Sequence, residues 1–241
     1  MKVKPYEKVA EVYDGLMKKV DYQTWAKYLL VIAEENIPHN AKILELGAGN
    51  GKMAEIFLKK YKNYFVSDIS LPMLKNSSNS HLRKICCDMS AIPITAKFDF
   101  IFSAFDGVNY ILKQKSLFNL FSEVYRLLTD DGIFTFDVSL ERNSMNITFS
   151  DFIEGNHNGF WFQKISKYNK HSRIHYNKFY ISDETGFKYK EVHKEKIYKI
   201  DTYFRLAEKV GLYTEHCFDC FSFKDVSEKS YRAQFVMRKI N

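Results

Sequence analysis

The chain has 241 residues, 46% apolar and 16% aromatic, and carries a net charge of +7. That length supports one sizeable core, or one core with an appended lid, and the composition excludes a disordered chain. No run of about 18 apolar residues offers a membrane span, and the start MKVKPYEKVAEVYDGL lacks the apolar centre of a signal peptide.

In chain order, Tyr6, Val9, Val12, Tyr13, Leu16 and Met17 recur three and four apart, which predicts a short amphipathic helix within Met1–Lys19. Asp21 to Asn36 predicts a second helix, with Trp25, Tyr28, Leu29 and Ile32 on one face and Pro38 beyond its end. Ala41 to Gly51, AKILELGAGNG, reads as a strand buried on both faces that runs into a glycine loop. Gly47, Gly49 and Gly51 allow a sharp turn and close approach of a ligand to bare backbone. A helix over Lys52–Tyr61 follows, so strand, loop and helix N-terminus form a nucleotide-type pocket. A dinucleotide fingerprint would need glycine where Lys52 stands. Tyr64 to Ser67 is a second strand that ends on Asp68, whose carboxylate can accept from both hydroxyls of a ribose. Adenosine without a pyrophosphate suits this loop better than NAD.

ILELGAGNG followed by Asp68 resembles motif I and the acidic residue after it in class I S-adenosylmethionine (SAM) methyltransferases. The leader V-Y-D-G-L-M with V-D-Y-Q-T-W resembles a subgroup of small-molecule methyltransferases similar to the sugar N-methyltransferases. There the leader folds over the cofactor, which implies that Tyr13 and Trp25 approach the methionine end of SAM; plain core packing is the alternative for both aromatics. The resemblance further implies cofactor contacts from Glu45, Gly47, Ala48, Gly49, Gly51, Asp68 and Met73, with S-adenosylhomocysteine as product.

Ile69 to Lys75 predicts a short helix starting near Pro72, then a polar loop, and Arg83 to Cys87 a third strand ending at Asp88-Met89. By resemblance Asp88 meets the exocyclic amine of adenine, Cys87 lies beside it, and Ile69 and Met89 sandwich the ring. Asp88 could otherwise simply close the strand as a turn residue. Phe98 to Phe102 is the fourth strand, and it leads into Ser103, Ala104, Phe105, Asp106, Gly107, Val108, Asn109 and Tyr110. This segment resembles the subgroup's motif IV, which implies Ser103, Ala104 and Phe105 at the cofactor; Asp106, Asn109 and Tyr110 are candidate catalytic and substrate-binding residues near its sulfur, or else merely cap the loop. It lacks the N-P-P-Y or D-P-P-Y of enzymes that methylate nucleobase amines, which counts against such a substrate.

Lys115 to Leu128 is an amphipathic helix, Asp130-Asp131-Gly132 a turn, and Ile133 to Val138 a fifth strand. Strands and helices thus alternate through Val138, as in a doubly wound α/β sheet. Period-two segments then take over: Phe160–Ile165, Arg173–Ile181 and Phe187–Ile197 predict an antiparallel insertion of three or four strands. Its many aromatics suit a lid over the active site, or a dimer contact surface. Asp201 to Val210 is a helix ended by Gly211, and Leu212–Cys220 and Tyr231–Ile240 are the last strands. The order resembles the mostly parallel, seven-stranded Rossmann-like methyltransferase sheet with its final strand antiparallel. The expected organisation is a leader at 1–40, a SAM-binding core at 41–145 and 201–241, and an inserted antiparallel β lid at 146–200.

His193, on the last inserted strand, resembles a histidine at the same place in the subgroup and is the candidate general base. An exposed strand histidine is the bland alternative; His157, His171 and His175 are expected in or near turns. Cys86, Cys87, Cys217 and Cys220 make no disulfide framework, which points to a reduced, cytoplasmic protein. Cys217-Phe-Asp-Cys220 lacks a second ligand pair, so buried structural thiols are expected and no metal. The lysines are scattered, which favours a basic solvated surface over a nucleic-acid face. The expected function is methyl transfer from SAM to a small molecule, at nitrogen, oxygen or a carboxylate, by a monomer or homodimer. An RNA methyltransferase and a non-catalytic SAM-binding protein are the alternatives.

Overall fold

The computed structural model describes residues 1–147 and 152–240. The leader forms α1 (Val9–Leu16) and α2 (Tyr22–Glu34), and β1 (Lys42–Leu46), α3 (Lys52–Phe57) and β2 (Asn63–Asp68) follow. Next come α4 (Leu71–Lys75), β3 (Arg83–Cys86), β4 (Phe98–Ser103) and a 3-10 turn over Gly107–Tyr110. α5 (Gln114–Leu127), β5 (Leu128–Ser139) and α6 (Glu141–Ile147) lead to β6 (Phe152–His157), β7 (Phe160–Asn169), β8 (Ile174–Ser182) and β9 (Lys188–Lys196). The chain closes with α7 (Ile200–Glu208), β10 (Leu212–Asp219), β11 (Lys224–Asp225) and β12 (Arg232–Lys239).

The main sheet has the order β11-β10-β12-β5-β4-β1-β2-β3, and β6-β7-β8-β9 form a separate antiparallel sheet. The seven expected strands are present, β12 runs antiparallel to β5, and the two-residue β11 adds an edge that has no sequence signal. Strand order reverses between β1 and β4, both parallel, so the crevice beyond their carboxyl ends is where such sheets bind ligands. One face of the sheet packs on Leu117, Phe121 and Val124 of α5 and Tyr203 of α7. The other packs on Leu29 and Ile32 of α2 and Met53 and Phe57 of α3. Fully burying such a side chain stabilises by roughly 1.5–3 kcal/mol, so both layers hold the crevice rigidly.

The expected short first helix is present as Val9–Leu16, and Met1 to Val3 run beside β9, where Val3 N donates to Lys190 O at 3.1 Å. Two local expectations change. The Asp130-Asp131-Gly132 turn becomes a bulge inside β5: pairing jumps from Phe98↔Leu128 to Phe100↔Ile133. His175 is not in a turn. The β7–β8 connection runs to Arg173, which leaves His175 buried inside β8. The expected insertion starts at 146, and its residues 148–151 lie outside the described ones. Cys217 and Cys220 are free and only half-buried, because β10 ends at Asp219 near the sheet edge. Among the described residues, no helix is long and apolar enough to cross a membrane.

Candidate active site

At the reversal point lies a cavity of about 760 Å³, within the roughly 300–1,000 Å³ typical of small-molecule sites. Gly47 and Gly49 line it with φ of 68° and 57°, a left-handed conformation that L side chains rarely adopt. A Cβ added at Gly49 would stand 3.1 Å from Met73 Cε, so the bare backbone also opens the space. Gly49 N donates to Asp68 Oδ2 at 2.8 Å, and Ser70 N to Oδ1 at 2.7 Å. Each oxygen keeps acceptor capacity toward the cavity. Burial pushes the Asp68 carboxyl up, against these two amide donors, which hold it down.

Glu45 is 3% exposed, lines the same cavity and accepts from Tyr64 OH at 2.7 Å. Burial dominates that bond and pushes its carboxyl from 4.5 up to about 8. Between those values the folded protein keeps a proton that the unfolded chain has released, so rising pH favours unfolding. Wild-type stability measured against Glu45→Gln is expected to fall by about 1.4 kcal/mol per pH unit between about pH 5 and 8. Denaturant unfolding across that range checks it; parallel curves for the two proteins would remove the assignment.

Tyr13, Ala48, Ile69, Met73, Cys87, Asp88, Met89, Ala104 and Phe105 complete the expected wall, as does Tyr110. Ile69 is 68% exposed, an apolar side chain left uncovered at the cavity. Asp88 is exposed, with Oδ1 accepting from Ser90 N at 2.8 Å. Phe105 and Asp106 both have positive φ, which turns the chain sharply after β4.

The structure does not bring the remaining expected residues to the cavity wall. Trp25 stands one ring back, 4.4 Å from the Phe105 ring, with the Arg232 guanidinium over its own ring at 5.3 Å. Gly51 begins α3 and points toward Leu82 and Ser77, and Ser103 is buried under the loop. Asn109 is fully buried and structural. Its Nδ2 donates to Ser139 O and Lys196 O, and its Oδ1 accepts from Ser139 N, which ties β5 to the end of β9. Asp106 pairs with Arg232, whose Nη2 donates to Oδ2 at 3.0 Å, and Arg232 also pairs with buried Asp137.

His193 is 1% exposed, not a surface histidine, because Tyr6 and Phe179 cover it with ring centroids at 4.5 and 4.6 Å. Its Nε2 lies 2.9 Å from Glu191 Oε2, and its Nδ1 lies 3.3 Å from Tyr110 OH. Tyr6 OH donates to Tyr110 OH at 2.7 Å, and both tyrosines line the cavity. Glu191 is fully buried and accepts from the backbone N–H groups of Tyr6, Lys8 and Val9 at the start of α1. With Glu191 accepting from Nε2–H, Nδ1 is left as an acceptor for the Tyr110 hydroxyl, a tautomer assigned from this network. Tyr6 and Glu191 had no sequence signal, since the strap that joins them is a contact between chain start and insertion. Asn50 was equally unmarked: its Nδ2 donates to Asp14 Oδ1 at 2.7 Å and fastens α1 to the glycine loop.

A crevice at a sheet reversal, a glycine loop and an acidic residue closing the next strand define a nucleoside-type site on a methyltransferase fold. Residues 43–132 match the family model described as "Methyltransferase domain". Across 97% of both chains, the protein is 25% identical to "Putative methyltransferase YqeM" of Bacillus subtilis (strain 168). It is 25% identical, with a TM-score of 0.81, to a S-adenosylmethionine-dependent methyltransferase from Clostridium acetobutylicum, covering 98% of this chain and 99% of that one. The sugar N-methyltransferase KedS8 from Streptoalloteichus shares the fold, with a TM-score of 0.77 at 16% identity over 96% of this chain and 94% of its own. Together these matches support a SAM-dependent methyltransferase of class I, with SAM as its cofactor.

Proposed function

We propose that this protein transfers the methyl group of SAM to a small-molecule acceptor, at a nitrogen or hydroxyl that must lose a proton. The observation that carries this reading is the chain Tyr6–Tyr110–His193–Glu191, which runs from the cavity wall to a buried carboxylate. A carboxylate acceptor would leave such a chain without a task. Desolvation holds both tyrosine hydroxyls far above the ordinary phenol range, so they stay protonated and relay rather than keep a proton. A proton leaving the acceptor reaches Tyr6 O as the Tyr6 proton moves to Tyr110 and the Tyr110 proton to His193 Nδ1. The resulting imidazolium faces the Glu191 carboxylate.

The residues present fit SAM. Asp68 has free acceptor capacity beside bare glycine backbone, which suits ribose hydroxyls, and uncovered Ile69 with Met89 suits the two faces of adenine. Asp88 would meet the adenine amine, and Tyr13 with the leader would cover the methionine end. SAM supplies a methyl group on a sulfonium, already activated for in-line displacement. The protein's task is then orientation, potentially worth about 7–11 kcal/mol. The four-stranded sheet acts as the lid that keeps water out. Its strand β9 delivers His193 and Glu191, which supports a lid over a dimer contact as its first role. The four free thiols support a reducing, cytoplasmic setting.

Incubation with methyl-labelled SAM and cell extract, split into small-molecule and RNA fractions, tests the acceptor class. Label is expected among small molecules. Label entering RNA alone, with binding that weakens steeply as salt rises, would replace this reading with the nucleic-acid one.

A further inference from the structure

Arg232 opens β12, paired with Ser139 at the end of β5, and its side chain is mostly buried beside the turn that follows β4. It meets that turn in two ways. Its guanidinium faces both carboxylate oxygens of Asp106: Nη2 donates to Oδ2 at 3.0 Å, and Nη1 donates to Oδ1. It also lies over the Trp25 ring at 5.3 Å, and Trp25 in turn stands 4.4 Å from the Phe105 ring. Asp137, fully buried on β5, completes the frame. Its Oδ2 accepts from Arg232 Nη1 and, at 3.1 Å, from Asp106 N.

The turn needs such a frame. Phe105 and Asp106 have φ of 58° and 62°, two successive non-glycine residues in the left-handed region. A bulky residue enters that region rarely, and it stays there only where its surroundings over-determine it. Arg232 holds Asp106 directly and backs Phe105 through Trp25. Neither Arg232 nor Trp25 lines the cavity, whereas Phe105, Gly107 and Tyr110 do. The planar, two-pronged guanidinium suits this task. A lysine ammonium is a point charge, which cannot grip both oxygens and lie flat over a ring in one geometry.

We infer that Arg232 is a positioning residue for the SAM site: through Asp106 and Trp25 it fixes Phe105 as a wall of the cofactor cavity. Trp25 then serves the cofactor at one remove, and Asp106 anchors the turn instead of touching a ligand. This role depends on SAM binding in the cavity and is indifferent to the acceptor.

The test uses the full chain carrying Trp161→Phe, which leaves Trp25 as its one tryptophan, with S-adenosylhomocysteine as the probe. Arg232→Lys keeps a positive charge beside Asp137. It should weaken the probe about tenfold by calorimetry, an ordinary coupling between residues in contact, and move Trp25 emission to longer wavelength. Asp106→Asn is the second variant: it leaves the Arg232–Asp137 pair intact and should weaken the probe several-fold. It decides the matter alone if Arg232→Lys does not fold. Phe105→Ala separates positioning from stability, because with Phe105 truncated Arg232→Lys should cost little further affinity. Affinity within about twofold of the parent for every variant that folds, whatever the melting temperature, makes the cluster purely structural and overturns the role. Losses that add fully to that of Phe105→Ala overturn it too, since Arg232 would then act by another route.

Discussion

Replacing His193 by alanine is expected to slow methyl transfer by about 10²–10⁴-fold, the usual contribution of a positioned base, while SAM affinity stays unchanged. His193 is enclosed and does not line the cofactor cavity, so its loss reaches the acceptor only through Tyr110 and Tyr6. That makes a sharper test possible. Tyr6→Phe keeps the ring that covers His193 and removes only the first hydroxyl of the relay. If the four groups act as a unit, Tyr6→Phe should match His193→Ala, and the double variant should be little worse than either. Added imidazole should restore part of the His193→Ala rate. A Tyr6→Phe enzyme with normal turnover removes the relay, whatever the histidine variant does. Additive losses would instead say that His193 holds the strap in place and moves no proton.

How much of this was legible in the chain depends on how local each feature is. The glycine loop and Asp68 lie at the ends of adjacent parallel strands, β1 and β2, and their spacing alone brings them together. The alternation of strands and helices likewise marks the doubly wound core, because each apolar face has a period of its own. The proton path is different. His193 could be placed on the last inserted strand, but whether it was buried depended on the first eight residues crossing over it. Nothing in the spacing of K-P-Y-E-K announces that Tyr6 will sit with φ of 60° against a histidine far along the chain. Glu191 reads as one more charge in a lysine-rich strand until three backbone amides of the leader are found on it. Asn109 shows the opposite error. A polar residue in a chemistry-bearing segment invites a catalytic role, yet its amide is fully used in joining the two sheets.

Asp68→Ala is expected to weaken SAM and S-adenosylhomocysteine binding by about 100-fold or more. Hydrogen bonds to a charged group are worth roughly 1.5–3 kcal/mol each, and 1.4 kcal/mol is a factor of ten, so losing two ribose contacts suffices. The substitution does more than that, because the same carboxylate receives Gly49 N and Ser70 N. Alanine therefore strips a partner from the loop as well as from the ligand, and lost affinity alone does not separate the two effects. A cofactor analogue lacking the ribose hydroxyls does. Wild type should bind it about 100-fold more weakly than S-adenosylhomocysteine, whereas Asp68→Ala, with nothing left to contact those hydroxyls, should bind the two nearly alike. If the variant still discriminates fully between them, Asp68 serves the glycine loop only and the hydroxyls are held elsewhere. If it binds S-adenosylhomocysteine as tightly as wild type, the cavity beside Gly49 is not where the ribose sits.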